Sequence, residues 1–158
     1  MIKLIRIDDR LVHGQVAFTW TPALDADCLV VANDKVAKDE FMKMTLGLAK
    51  PASAKLLIKS LADTAIFLND PRAQNLKILL IVNSVRDAAV LVDEISEIRS
   101  INLGGIRTKE GTRSISKAIA LTDEDILIIK EMLAKGLELE VRQVPTDKKV
   151  MIETLIPQ

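Results

Sequence analysis

Short apolar runs alternate with stretches of helical period along the whole chain, the pattern of parallel strands joined by crossover helices. Residues 3–7 read as a first strand and residues 8–13 as a polar loop. A helix begins near Gly14 and runs past Trp20, with Pro22 at a kink or an end. Residues 28–32 form a second strand. Asn33-Asp34 then caps a helix over roughly residues 35–49, on which Phe41, Met44, Thr45 and Leu48 share one face. Residues 55–58 are a third strand, and Ser60 caps a helix that ends before the turn Asn69-Asp70-Pro71. The most apolar strand, residues 77–82, is expected at the centre of the sheet. Asn83-Ser84 follows it and opens a helix through about Ile98. Ile101-Asn102-Leu103 is a short strand closed by Gly104-Gly105, and residues 115–121 are another. Thr122 caps a helix with an acidic first turn, an inner face of Ile126, Ile129, Met132 and Leu133, and an end at Gly136. Residues 137–144 make a final strand before Pro145. The elements predict an α/β fold: an open sheet, mostly parallel, with helices on both faces.

Composition narrows the picture. The 158 residues fit a single domain, and with 49% apolar residues there is ample material for one core. With one Trp, three Phe and no Tyr, that core is aliphatic. The scarcity of rings argues against single-stranded nucleic acid, and the balance of 22 basic and 22 acidic residues removes the basic excess of a nucleic-acid binder. Cys28 is the only cysteine, so no internal disulfide forms, and its apolar neighbours make it a buried, inert thiol. The N-terminus enters the first strand directly, and apolar runs such as residues 78–82 are too short to span a bilayer. A soluble cytoplasmic protein is expected.

The chemistry concentrates in the loop after the first strand, Ile7-Asp8-Asp9-Arg10-Leu11-Val12-His13-Gly14-Gln15. In open α/β sheets ligands bind beyond the C-terminal strand ends, and a helix starting near His13 aims free N–H groups at that place, which suits an anion. His13, the only histidine, brings a nitrogen that is largely neutral and nucleophilic at neutral pH. Arg10 adds a permanent cation whose planar fork matches phosphate oxygens. Asp8 and Asp9 can orient Arg10 or hold one imidazole tautomer, and Gly14 lets the backbone approach a phosphoryl group closely. The plainer reading is a structural histidine beside a solvated Asp9–Arg10 pair worth about 0–1 kcal/mol.

The string from Arg6 to Val16 resembles the N-terminal motif of the IIB component of the mannose/fructose/sorbose family of bacterial sugar phosphotransferase systems. The likeness continues in one register through Asn102-Leu103-Gly104-Gly105, Ile115-Ser116-Lys117-Ala118 and Thr122-Asp123-Glu124-Asp125, so it covers essentially the whole chain. The first motif is specific; the later ones would be weak alone. The resemblance implies a single IIB domain over residues 1–158, with an antiparallel strand near the C-terminus of the sheet. It implies a phosphohistidine–sugar phosphotransferase subunit. The IIA component would donate a phosphoryl group to Nδ1 of His13, steadied by Arg10. The group would then pass to a sugar carried by the membrane components IIC and IID, which would hold the chain at the inner face of the membrane. No metal or cofactor is implied, and the sugar (mannose, fructose, sorbose or an amino sugar) is left open.

Other candidates are weaker. Asn83 and Ser84 offer an amide and a hydroxyl at a strand end, though helix capping is the better account of Ser84. Arg107, Lys109 and Arg113 form a basic stretch suited to an acidic partner or a phosphoryl group, with a solvated loop as the simpler reading. Neither a nucleotide-binding P-loop nor a dinucleotide G-x-G-x-x-G is present. A phospho-receiver domain would need an acceptor Asp after the third strand, where Lys59-Ser60 stands. Histidine-based phosphatases and mutases usually pair two histidines. An apolar C-terminal segment, Val150-Met151-Ile152 with Leu155-Ile156, fits either a homodimer contact or an edge strand packed on its own sheet.

Overall fold

β-Branched and aliphatic runs flanked by turn residues become the interior strands, and the capped amphipathic stretches between them become the covering helices. In the computed structural model, residues 1–157 are described, with every side chain except that of Gln15. In chain order the elements are β1 (Ile2–Asp8), α1 (Gly14–Ala23), β2 (Cys28–Ala32), α2 (Glu40–Ala49), β3 (Lys55–Lys59), α3 (Leu61–Asn69), β4 (Ile78–Val82), α4 (Val85–Glu94) and β5 (Ser100–Gly105). A short hairpin of β6 (Arg113–Ser114) and β7 (Ala120–Leu121) follows, then α5 (Asp123–Ala134), β8 (Glu138–Val141) and β9 (Val150–Met151).

Seven strands form one sheet in the order β3-β2-β4-β1-β5-β8-β9. Every pairing in it is parallel except β8 with β9. Alternating strand residues feed two cores. Ile5, Ile7, Val30, Leu80 and Val82 pack with residues of α3, α4 and α5, while Leu29, Val31, Leu79 and Ile81 pack with Ala17 and Trp20 of α1 and Leu46 of α2. The chain therefore leaves β1 towards one face, whereas β5 leads through the hairpin to α5 on the other. Neighbouring strands whose connections part to opposite faces open a crevice between their C-terminal ends, and β1 and β5 are such a pair.

Several expectations need correction. β1, not β4, is the middle strand, although β4 beside it is buried throughout. The helix expected over residues 35–49 is two pieces. The Asn33 side chain accepts from the Val36 amide at 2.8 Å and caps a single 3-10 turn (Val36–Lys38), after which Asp39 accepts from Met42 and starts α2 anew. Phe41, Met44 and Leu48 are 70%, 61% and 84% exposed, so their shared face points to solvent and Leu46 is the buried contact. Met42, Leu46 and Ala49 give this helix a second apolar side, and period alone does not choose between the two. α4 stops at Glu94 because Ile95 turns extended, and Ile95 and Ile98 both drop into the core. Gly104 and Gly105 continue β5 instead of closing it. Residues 115–121 are not one strand: polar Ser116-Lys117 breaks the run and the chain turns back as the β6–β7 hairpin. The last predicted strand ends at Val141, and β9 folds back antiparallel on it. Ile152 and Ile156 are buried in this chain's own core, which removes the apolar-tail argument for a homodimer.

Leu80 is fully buried in the middle of β4. Leu80→Ala is expected to lower the unfolding free energy in urea by about 2–5 kcal/mol, from lost burial plus the cavity left behind.

Candidate functional site

The loop between β1 and α1 is held in a tight shape by its own backbone. The Leu11 amide donates to the Asp8 carbonyl at 2.9 Å, and Leu11 adopts the left-handed region at φ 60, unusual for a branched residue. The strain is offset by burial: Leu11 and Val12 both insert into the core beneath α1 and α2. His13 follows in extended conformation as the N-cap of α1, and its side chain makes no capping bond. Gly14 has φ 37, and a Cβ there would meet nothing within 4 Å. Its glycine suits the left-handed turn, and the space beside it is open.

His13 Nε2 lies 2.9 Å from Asp8 Oδ2. Beside an ionised carboxylate, which only accepts, a neutral imidazole donates from Nε2 and keeps its lone pair on Nδ1. Asp8 is 1% exposed, and its Oδ2 also accepts from the Arg6 guanidinium at 3.2 Å, while Oδ1 accepts from the Arg10 amide at 3.1 Å. Arg6 in turn donates to Asn102 Oδ1 at 2.8 Å and to the Arg142 carbonyl at 3.2 Å. Asn102 donates to Glu140, and Arg142 closes on Glu140 through two bonds of 3.0 and 2.9 Å. The register explains this string, for Arg6, Asn102 and Glu140 are lateral neighbours on β1, β5 and β8. The Trp20 ring lies 5.4 Å from Arg6 and 5.1 Å from Arg142, and its indole N–H donates to the Gln143 carbonyl. Burial pulls the Arg6 pKa down, against the pull of Asp8. The hydrogen bond to Glu140 pushes that of Arg142 up.

Above this buried layer a cleft of about 290 Å³ opens between the β1–α1 loop, the C-terminal end of β5 and the β6–β7 hairpin. His13, Arg10, Arg107 and Lys117 line it, with Arg6 and Asp8 below. Asp9 ties its two sides together: the Asp9 carboxylate accepts from the Arg107 amide and Nε, both at 3.0 Å, and the Asp9 amide donates to the Gly105 carbonyl. Among the described residues no group of three or more His, Cys, Asp or Glu is placed to hold a metal ion.

The family model described as "PTS system sorbose subfamily IIB component" matches residues 2–158. The chain belongs to this IIB family of the phosphotransferase system (PTS). It is 40% identical to a probable phosphotransferase enzyme IIB component of Streptococcus pyogenes serotype M6, over 99% of each protein. It is 34% identical to the mannose-specific EIIAB component of Escherichia coli K12, covering 99% of this chain and 48% of that one. The crystal structure of the IIBSor domain of the Klebsiella pneumoniae sorbose permease superimposes with a TM-score of 0.91 at 31% identity, over 96% of this chain and 93% of that one.

Not all candidates of the IIB sequence meet in the cleft. Asp8, Asp9, Arg10, His13 and Arg107 do. Gly14 follows directly on His13, as the first residue of α1. Ser84 instead caps α4, accepting from the Asp87 amide at 3.1 Å, and neither it nor Asn83 lines the cleft. Arg113 pairs with Asp123, and Lys109 lies in an exposed turn with Thr112. Arg6, Asn102, Glu140, Arg142, Trp20 and Lys117 went unremarked as site residues. The available signal was a single polar residue flanked by apolar ones in each of three strands, Ile5-Arg6-Ile7, Ile101-Asn102-Leu103 and Leu139-Glu140-Val141.

Glu140 is 2% exposed and balances Arg142. Glu140→Ala is expected to cost about 3–5 kcal/mol in urea unfolding, because it strands the partly buried Arg142 cation, while the Asn102 amide keeps the Arg142 carbonyl as acceptor. Arg107→Ala, at a side chain 70% exposed, is expected to change stability by only about 0–1 kcal/mol.

Proposed function

We propose that residues 1–158 act as one IIB unit that accepts a phosphoryl group from a IIA component on Nδ1 of His13. The unit then passes the group to a sugar presented by membrane components IIC and IID. The observation that carries this reading is the Asp8–His13 contact, which leaves Nδ1 bare at the mouth of a cleft lined by Arg10, Arg107 and Lys117. The chain's place in a sugar phosphotransferase family supports it, as does the E. coli relative whose name joins IIA and IIB in one component. Among the described residues no helix is long and apolar enough to cross a membrane, so transport through a bilayer falls to partners in this reading.

In this reading transfer takes two steps. The Nδ1 lone pair attacks phosphorus in line as the bond to the IIA nitrogen breaks, and that nitrogen departs with the electron pair. The proton on Nε2 stays against Asp8 throughout, so no proton has to move. The transition state spreads charge over three equatorial oxygens, and in this reading Arg10 and the free N–H groups of the first turn of α1 stabilise it. In the second step a sugar hydroxyl attacks phosphorus and the P–Nδ1 bond breaks. The hydroxyl proton goes to the freed lone pair or to water, leaving a phosphate monoester. Histidine-to-histidine transfer is close to isoenergetic, which suits a relay.

Incubation with phosphoenolpyruvate, the general phosphocarrier protein, its kinase and IIA should give one acid-labile, base-stable phosphoryl group. His13→Ala should abolish it while changing stability by about 1 kcal/mol or less, since one partly exposed hydrogen bond is lost. Label persisting in His13→Ala would refute the assignment. Arg10→Ala, with an exposed side chain, should stay folded and phosphorylatable but react more slowly by about tenfold or more. An unchanged rate would remove its role.

A further inference from the structure

The most unusual feature of the interior is a charged side chain where a strand of a fully covered sheet would ordinarily carry an apolar one. Arg6 is 2% exposed, and its guanidinium sits in a socket shaped on every side. Asp8 and Asn102 take its N–H groups along the sheet, the Arg142 carbonyl takes another, and the Trp20 ring covers it. The remaining side is Gly104, where an added Cβ would fall 1.9 Å from Arg6 Cζ. Side chains from β1, β5 and α1, a glycine on β5 and a carbonyl just after β8 therefore cooperate to hold one cation against one carboxylate. Stability does not account for this: a buried ion pair seldom outperforms apolar residues of the same volume, and Arg6 Nε is left without a partner.

We propose that Arg6 is a positioning residue for phosphoryl transfer, holding Asp8 ionised so that His13 keeps its proton on Nε2 and offers Nδ1 to phosphorus. The proposal rests on His13 being the acceptor. The charged groups around Asp8 are Arg6 on its own strand and His13 and Arg10 in the loop that follows. Beyond Arg6 lie Glu140 on β8 and Arg142 just after it, while Asp9 is engaged by Arg107. β5 and α1 contribute only the uncharged Asn102, Gly104, Gly105 and Trp20 at this place. Arg6 is thus the one guanidinium bonded to the Asp8 carboxylate among the described residues. Without it, a carboxyl 1% exposed favours its protonated form. A protonated Asp8 donates its O–H to Nε2, which moves the imidazole proton to Nδ1 and blocks the attacking lone pair.

The test uses the full chain and three variants: Arg6→Met, which removes the cation; Arg6→Lys, which keeps a charge; and Gly104→Ala, which displaces the guanidinium without altering charge. Nitrogen-15 NMR of His13 reads the tautomer, rapid-quench transfer from phosphorylated IIA reads the rate, and urea unfolding reports integrity. Arg6→Met and Gly104→Ala are expected to shift His13 towards the Nδ1–H form. Their maximal transfer rate should fall by about tenfold or more with the half-saturating IIA concentration unchanged. Arg6→Lys is expected to keep the Nε2–H form and an intermediate rate. Folded variants with the wild-type nitrogen pattern and rates within about twofold of wild type overturn the proposal, as does an Arg6→Lys as impaired as Arg6→Met. If Arg6→Met does not fold, the other two decide. Wild-type label on a residue other than His13 would instead overturn the acceptor assignment, while the tautomer measurement still judges Arg6.

Discussion

The buried contact between Arg6 and Asp8 is the interaction on which the rest of the site is built. Two opposite charges 3.2 Å apart with side chains 2% exposed are costly to desolvate, and the fold offsets that cost by meeting their remaining hydrogen-bonding capacity everywhere but at Arg6 Nε. That requirement reaches across the sheet. Asn102 must lie beside Arg6 on β5, Glu140 beside Asn102 on β8, and Arg142 must turn back to neutralise Glu140. Gly104 has to lack a side chain, and Trp20 has to lie flat over the layer. A rigid, fully engaged carboxylate is the result, and it determines which nitrogen of His13 faces the cleft.

Topology supplies the opening above this layer. β1 is the middle strand, and the chain departs from it towards α1 while β5 beside it departs towards the opposite face. The parting of these two connections leaves room that neither loop fills. Asp9 keeps the gap from collapsing or drifting by bonding one loop to the other through Arg107 and Gly105. Exposed cations line the rim, and a buried ion pair forms the floor.

This arrangement is consistent with a protein that belongs to a phosphotransferase family. Its cleft is partly open and carries the exposed cations Arg10, Arg107 and Lys117, which suit an anionic group.

Much of this was legible in the chain itself. Strand and helix identity follow from local period and from caps such as Ser60, Ser84 and the Thr122–Asp125 capping box, because these are satisfied within a few residues. His13 and Arg10 stood out for the same reason, three positions apart in one loop. What the sequence alone could not decide depends on lateral register and on which face of an element meets the sheet. The apolar stripe of Phe41, Met44 and Leu48 reads as a buried face yet meets solvent, because Met42, Leu46 and Ala49 offer a second apolar side and only docking selects between them. Arg6, Asn102 and Glu140 lie some 96 and 38 residues apart along the chain, and no local rule pairs them. Local patterning determined the elements and singled out the loop histidine. Tertiary structure alone brought three distant polar residues into line behind it, since hydrogen bonds across a parallel sheet are set by strand order and not by nearness in sequence.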